Sequence, residues 1–151
     1  MLKTTWSGHS TTLSKPNADR IPTVLCIDDD PEITRIIEAR LSTYEVKVIC
    51  SFTGMQGIWQ AIQSKPDLII SDVRMPQGDG TYLLDCIRQN QATSHIPVIV
   101  LSGMRDRDLA NQMKLRGAAS FLHKPIHYQD LIHEISRHIE LVEKPFPFSE
   151  E

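Results

Sequence analysis

Asp28, Asp29 and Asp30 stand side by side where the apolar run VLCI ends, and Pro31 follows them. Two like charges about 4 Å apart repel by roughly 4 kcal/mol at an effective dielectric of about 20, so a folded chain that keeps three carboxylates together must offset that cost. Three further polar residues hold the same kind of position: Asp72 after LIIS, Ser102 after VIVL, and Lys124 after SFLH. A set of oxygen donors that includes carboxylates suits Mg²⁺, which keeps several waters and commonly shares its octahedron with a phosphate. Mn²⁺ can substitute for it. A carboxylate nucleophile beside such a cation, an ammonium and a hydroxyl is what phosphoryl transfer to an aspartate requires, because the positive groups neutralise the equatorial oxygens while the nucleophile attacks in line. The product would be an aspartyl phosphate.

These groups can act together only if the fold gathers the ends of the apolar runs. From Thr23 onward, apolar runs alternate with segments of helical period, the pattern of a parallel sheet flanked by helices. Five strand-plus-helix units can be counted. Val24 to Ile27 precedes a helix carrying Ile33, Ile36, Ile37 and Leu41, and Glu45 to Ser51 precedes a helix near Thr53 to Ser64. DLIISD, after Pro66, leads through the Gly-containing loop RMPQGDG into a helix from about Thr81. Ile96 to Ser102 is apolar throughout, as a central parallel strand should be, and Asp106 to Arg116 follows as its helix. Gly117 ends that helix, and Ser120 to His123 is a short fifth strand. The last helix carries Tyr128, Leu131, Ile132, Ile135, Ile139 and Val142 as one apolar stripe. Right-handed crossovers then give an open, doubly wound α/β fold whose ligands bind at the carboxyl ends of the strands.

With Asp28, Asp29, Asp72, Ser102 and Lys124 all at such ends, the sequence resembles the receiver domains of two-component response regulators, chemotaxis receivers among them, from about Pro22 to Val142. The resemblance implies a flavodoxin-like five-stranded parallel sheet of order 2-1-3-4-5 with five flanking helices. It makes Asp72 the phosphoacceptor, Asp28 and Asp29 the acidic pair, Ser102 the switch hydroxyl, Lys124 the charge-neutralising lysine and Phe121 the switch aromatic. Asp29 and Asp72 would then ligate Mg²⁺ directly, Asp28 through water, and the backbone carbonyl of Arg74 would complete the protein ligands. Pro125 matches a peptide bond that is usually cis in the family. Ser102 stands where many members have Thr, Gly103 leaves access to the acyl phosphate, and Arg74 and Met104 occupy positions that tune its lifetime.

The same resemblance implies a signalling module, with self-catalysed phosphoryl transfer and autodephosphorylation, rather than a conventional enzyme. Its phosphate would come from a histidine kinase or a histidine phosphotransfer protein. An effector would read the face made by the fourth helix, fifth strand and fifth helix, and the phosphorylated form could pair as a homodimer. Two other functions compete. A docking module could keep the fold without the switch, and a haloacid-dehalogenase-like phosphatase is suggested by the D-x-D within Asp28-Asp29-Asp30. Against that phosphatase, Pro31 sits where its motif wants Thr or Val, and no late acidic pair accompanies Asp72.

Other features have plainer readings. Asp30-Pro31-Glu32 is a helix N-cap, a proline at the first helical position and an acid in the first turn. His123, His127, His133 and His138 read as surface residues, since HEISRH spaces its histidines by five where one helix face needs four. Cys26, Cys50 and Cys86, odd in number and set in apolar patterns, read as reduced, buried thiols. A net charge of -3 and the absence of a Lys/Arg cluster argue against a nucleic-acid surface. No apolar segment approaches the roughly 20 residues of a membrane span, which makes the cytoplasm the expected compartment. Residues 1–20, with Trp6 as their one strong apolar anchor, read as a flexible tail, 21–143 as the receiver domain and 144–151 as a short C-terminal tail.

Overall fold

The computed structural model describes residues 20–73, 80–103 and 107–146. Five strands alternate with five helices: β1 (Thr23–Ile27), α1 (Pro31–Leu41), β2 (Lys47–Ser51), α2 (Gly54–Ser64), β3 (Leu68–Asp72), α3 (Gly80–Gln89), β4 (Val98–Ser102), α4 (Arg107–Leu115), β5 (Ser120–His123) and α5 (Tyr128–Ser136). All strand pairs are parallel, in the order β2-β1-β3-β4-β5. That is the flavodoxin-like order expected. β3 and β4 are buried along their whole length, as strands covered on both faces must be. Side-chain alternation divides the core in two: Leu25, Ile27, Ile69 and Val100 pack toward α2, α3 and α4, and Val24, Cys26, Ile70 and Leu101 toward α1 and α5.

Local chemistry sets where the elements begin. Asp30 caps α1 by accepting from Glu32 N at 2.9 Å, and Pro31 opens the helix. Thr53 caps α2 by accepting from Gln56 N at 3.1 Å. β2 starts at Lys47 rather than Glu45, because Glu45 N donates to Val142 O at 2.7 Å and Val46 N to Tyr44 O. β4 starts at Val98, since Ile96 N closes a turn on Thr93 O and Pro97 has no N–H to donate. Arg74–Asp79 of the glycine-containing loop and Asp106, expected to open the fourth helix, lie outside the described residues.

Two expected apolar stripes are redrawn. On α1 the buried face is Thr34, Ile37 and Leu41, while Ile36 is 52% exposed. Thr34 can be buried because its hydroxyl donates to Pro31 O at 3.0 Å. α5 ends at Ser136, short of Ile139 and Val142. Its last turn tightens, with His138 N donating to Ile135 O, and the chain then runs extended so that Glu143 bridges Tyr44 in antiparallel pairing. Ile139 still seals the core, but Val142 is half exposed. His138, expected at the surface, is half-buried with Nε2 sealed from solvent. Of the three free thiols only Cys26 is fully buried, Cys50 and Cys86 being intermediate. Burial pushes the Cys26 and Cys50 thiols up, which keeps them protonated and unreactive.

At the end of the sheet where β4 begins, Arg88 gathers three segments. Its guanidinium donates to Gly117 O at 3.1 and 2.9 Å, to Ser94 O at 3.0 Å and to Ile96 O at 2.7 Å. Gly117 has φ +98°, where a side chain would be strained and its Cβ would lie 2.9 Å from Arg88 Nε.

Helix α2 approaches β1 through another glycine. A Cβ on Gly57 would lie 2.5 Å from Cδ1 of Ile27, which is itself buried. Overpacking a core contact costs about 1–3 kcal/mol, against a helix-propensity gain of about 1 kcal/mol for Gly to Ala. Gly57→Ala should therefore lower stability by up to about 2 kcal/mol in urea unfolding. Gly103→Ala, where nothing lies within 4 Å, should stay within about 0.5 kcal/mol of the parent.

Candidate functional site

Strand register gathers the polar residues that end the apolar runs. Asp28 follows β1 directly, and its N–H donates to Ser51 O of β2 at 3.1 Å. Asp72 is the last residue of β3, level with Leu101 of β4, and Val73 N donates to Leu101 O. Ser102 ends β4 level with His123 of β5, and Lys124 N donates to Ser102 O at 2.7 Å. The Lys124-Pro125 peptide is cis. Asp28, Asp72 and Ser102 are buried at 2%, 7% and 2% exposure, whereas Asp29 is exposed.

Asp28, Asp29 and Asp72 each offer a carboxylate oxygen, and these oxygens lie within 4.8 Å of one another. Lys124 Nζ reaches into the cluster, donating to Asp28 Oδ2 at 2.8 Å and lying 3.4 Å from Asp72 Oδ1. The other oxygen of Asp28 accepts from Asp30 N at 2.9 Å, which fixes the carboxylate's orientation. Burial alone would lower the Lys124 ammonium, but its hydrogen bond to Asp28 and the charges of Asp28 and Asp72 outweigh burial and hold it above the ordinary lysine value. One ammonium cannot balance three carboxylates. The donor set therefore fits a hard divalent cation: three carboxylates, two buried and one open to water, on oxygens close enough to share one ion.

The structure brings Asp28, Asp29, Asp72 and Lys124 together and sets Ser102 at the neighbouring strand end. Arg74 and Met104 lie outside the described residues. Asp30, the third acid of the run, accepts from Glu32 N as a helix cap. Phe121 is half-buried against the core beside Val100, its ring meeting His123 edge-on at 5.2 Å between centroids. Gly103, next after Ser102, is exposed, and a Cβ added there would meet nothing within 4 Å. Two supporting groups escape a reading by residue type. The Asp30 N–H that orients Asp28 is backbone, and Ser71, inside an apolar strand, donates its hydroxyl to Asp72 O at 3.0 Å. The signal for Ser71 is a hydroxyl in a strand buried on both faces, which needs an internal acceptor.

A family model described as the response regulator receiver domain matches residues 24–136. The chain belongs to that family. Hybrid signal transduction histidine kinase D of Dictyostelium discoideum is 30% identical over 119 residues, which is 79% of this chain and 8% of that protein. The C4-dicarboxylate transport transcriptional regulatory protein DctD of Pseudomonas aeruginosa is 33% identical over 118 residues, 78% of this chain and 25% of that protein. Among solved structures, the signal receiver domain of a putative LuxO repressor protein from Vibrio parahaemolyticus superposes with a TM-score of 0.75 at 29% identity, covering 79% of this chain and 90% of that one. The chain thus spans no more than a quarter of either full-length relative, and what it shares with them is the receiver, a signalling module of two-component systems. No described helix is long and apolar enough to cross a membrane.

The raised Lys124 value has a pH signature. Stability from this contact is complete below the unfolded lysine value of about 10.4 and is lost as pH rises through the higher folded value. In urea titrations without divalent cations, the parent should show an alkaline loss beginning above about pH 10.4 that is reduced in Lys124→Met. Superimposable alkaline limbs would remove Lys124 as its source.

Proposed function

We propose that this receiver is switched by phosphorylation of Asp72, taking its phosphoryl group from a histidine kinase or a histidine phosphotransfer protein in a Mg²⁺-dependent reaction. The observation that carries the reading is the convergence of three carboxylate oxygens within 4.8 Å with Lys124 Nζ against Asp28 and Asp72. Asp28, Asp29 and Asp72, with the backbone carbonyl of Arg74, would hold the ion, and Mn²⁺ would serve in its place. When bound, Mg²⁺ supplies positive charge to the transferring phosphoryl oxygens.

A carboxylate oxygen of Asp72 forms the new O–P bond as the P–N bond to the donor imidazole breaks, the electron pair leaving with the imidazole nitrogen, which takes up a proton. Lys124, already drawn to Asp72, stabilises charge on the phosphoryl oxygens, and the Ser102 hydroxyl donates to one of them. The product adds about -1.5 to -2 charge at Asp72. Movement of Ser102 toward that charge opens room for Phe121 beside Val100, biasing the α4-β5-α5 face toward an effector or toward pairing of two phosphorylated copies. Water attacking the acyl phosphate returns the resting state. The folded domain is 21–143, and the cytoplasm, where such kinases present phosphohistidine, is the compartment the reading fits.

The docking-module alternative is weaker because Asp28, Asp29, Asp72, Ser102 and Lys124 are all retained in the sequence. The phosphatase alternative needs Asp30 for chemistry, and its carboxylate instead caps α1.

Intact-mass measurement after treatment with acetyl phosphate and Mg²⁺ should show a gain of one phosphoryl group, abolished by chelation and in Asp72→Asn. Asp29→Asn should weaken Mg²⁺ binding at least about 10-fold in a calorimetric titration, a first ligand counting for no less than the outer partners of a metal site. A phosphoryl gain that persists in Asp72→Asn would assign the acceptor elsewhere.

A further inference from the structure

β4 and β5 set four side chains on one face of the sheet. Phe121 lies level with Val100, and His123 with Ser102. Residues two apart on a strand share a face, so Phe121 and His123 stand in line on β5 opposite Val100 and Ser102 on β4. Val100 and Phe121 both pack into the core on the side of α2, α3 and α4, which identifies the face. His123 ends β5 and is exposed. Its imidazole meets the Phe121 ring with centroids 5.2 Å apart and planes at 73°.

An edge-on contact of this kind is attractive beyond the area it buries, because the positive edge of one ring meets the negative face of the other. It restrains Phe121 where core packing does not. Phe121 and His123 both border an open cavity of about 290 Å³ between β5 and the start of α5. The Phe121 ring therefore has the core on one side, open space on another and the imidazole against it. Filling the space that Ser102 leaves, as the switch requires, means swinging that ring across the face toward β4. A ring held edge-on by a neighbour on its own strand gives up that geometry when it swings.

We propose that His123 is a positioning residue for the switch, holding Phe121 in its resting place against the conformer that phosphorylation favours. The inference rests on the reading of Asp72 as phosphoacceptor and Phe121 as switch aromatic, and it adds a residue that acts through Phe121. An aromatic pair shifts an equilibrium between two ring positions by about 2- to 12-fold. Whatever favours the switched conformer tightens binding of a phosphoryl mimic by up to the same factor, the full factor being reached when the resting position dominates.

Beryllofluoride binding with Mg²⁺, followed on the 151-residue chain by ¹⁹F NMR of the bound fluorines, tests the assignment. His123→Ala should bind about 2- to 12-fold more tightly than the parent. His123→Tyr, which keeps an aromatic ring beside Phe121, should return to the parent's affinity. In a Phe121→Leu background, His123→Ala should change nothing, since the contact is already gone; a residue that merely stabilised β5 would move both backgrounds alike. Unchanged or weaker binding by His123→Ala, no return in His123→Tyr, or an equal gain in the Phe121→Leu background would each overturn the proposal while leaving the phosphorylation reading in place. A parent that binds no beryllofluoride would overturn both.

Discussion

Lys124 Nζ against Asp28 Oδ2, at 2.8 Å, joins two residues 96 positions apart. The contact spans the sheet from the residue after β5 to the residue after β1, past the ends of β4 and β3. It is possible only because all five strands run parallel, so that their carboxyl ends share one edge. An antiparallel partner anywhere between them would deliver an amino end there. The mutual repulsion of Asp28, Asp29 and Asp72 opposes folding, and the ammonium is the part of the answer built into the chain. The remainder is what the divalent cation that this donor set fits would supply.

The site was legible in sequence to the extent that side-chain type and apolar run length encode it. Asp72, Ser102 and Lys124 could be located because each is the polar residue at which an apolar run stops, and the register offsets each from the next by one residue, Asp72 lying level with Leu101 and Ser102 with His123. Asp30 could be separated from its neighbours because Pro31 and Glu32 mark a helix start. What escaped was carried by backbone or by unexpected satisfaction of a polar group. No residue type announces the Asp30 N–H that orients Asp28, and Thr34 enters the core in place of Ile36 because its hydroxyl finds Pro31 O. The last helix was read as too long because Ile139 and Val142 keep helical spacing. The competing pull was Glu143 pairing with Tyr44, a contact between residues 99 apart that no local pattern contains.

The helices divide their labour by charge as well as by position. α1 buries a narrow stripe and surrounds it with acids and bases, which keeps that face hydrated. α2 buries small residues, two of them glycines, so it lies close to β1, with Ile58 packed partly against the core and Met55 and Trp59 left on the outside. Tight packing inside and an apolar, uncharged exterior are two consequences of one distribution of residues along the same 11 positions.

Arg88 gives the sheet a stationary end. By holding the carbonyls of Ser94, Ile96 and Gly117 together, it immobilises the entries to β4 and β5, while the exits of those strands carry Ser102 and Lys124. Any rearrangement at the carboxylate edge would therefore meet these four hydrogen bonds as a restraint at the opposite end of the same strands. Displacement would be largest at the exits and in the helix between them, and smallest where the guanidinium clamps the backbone.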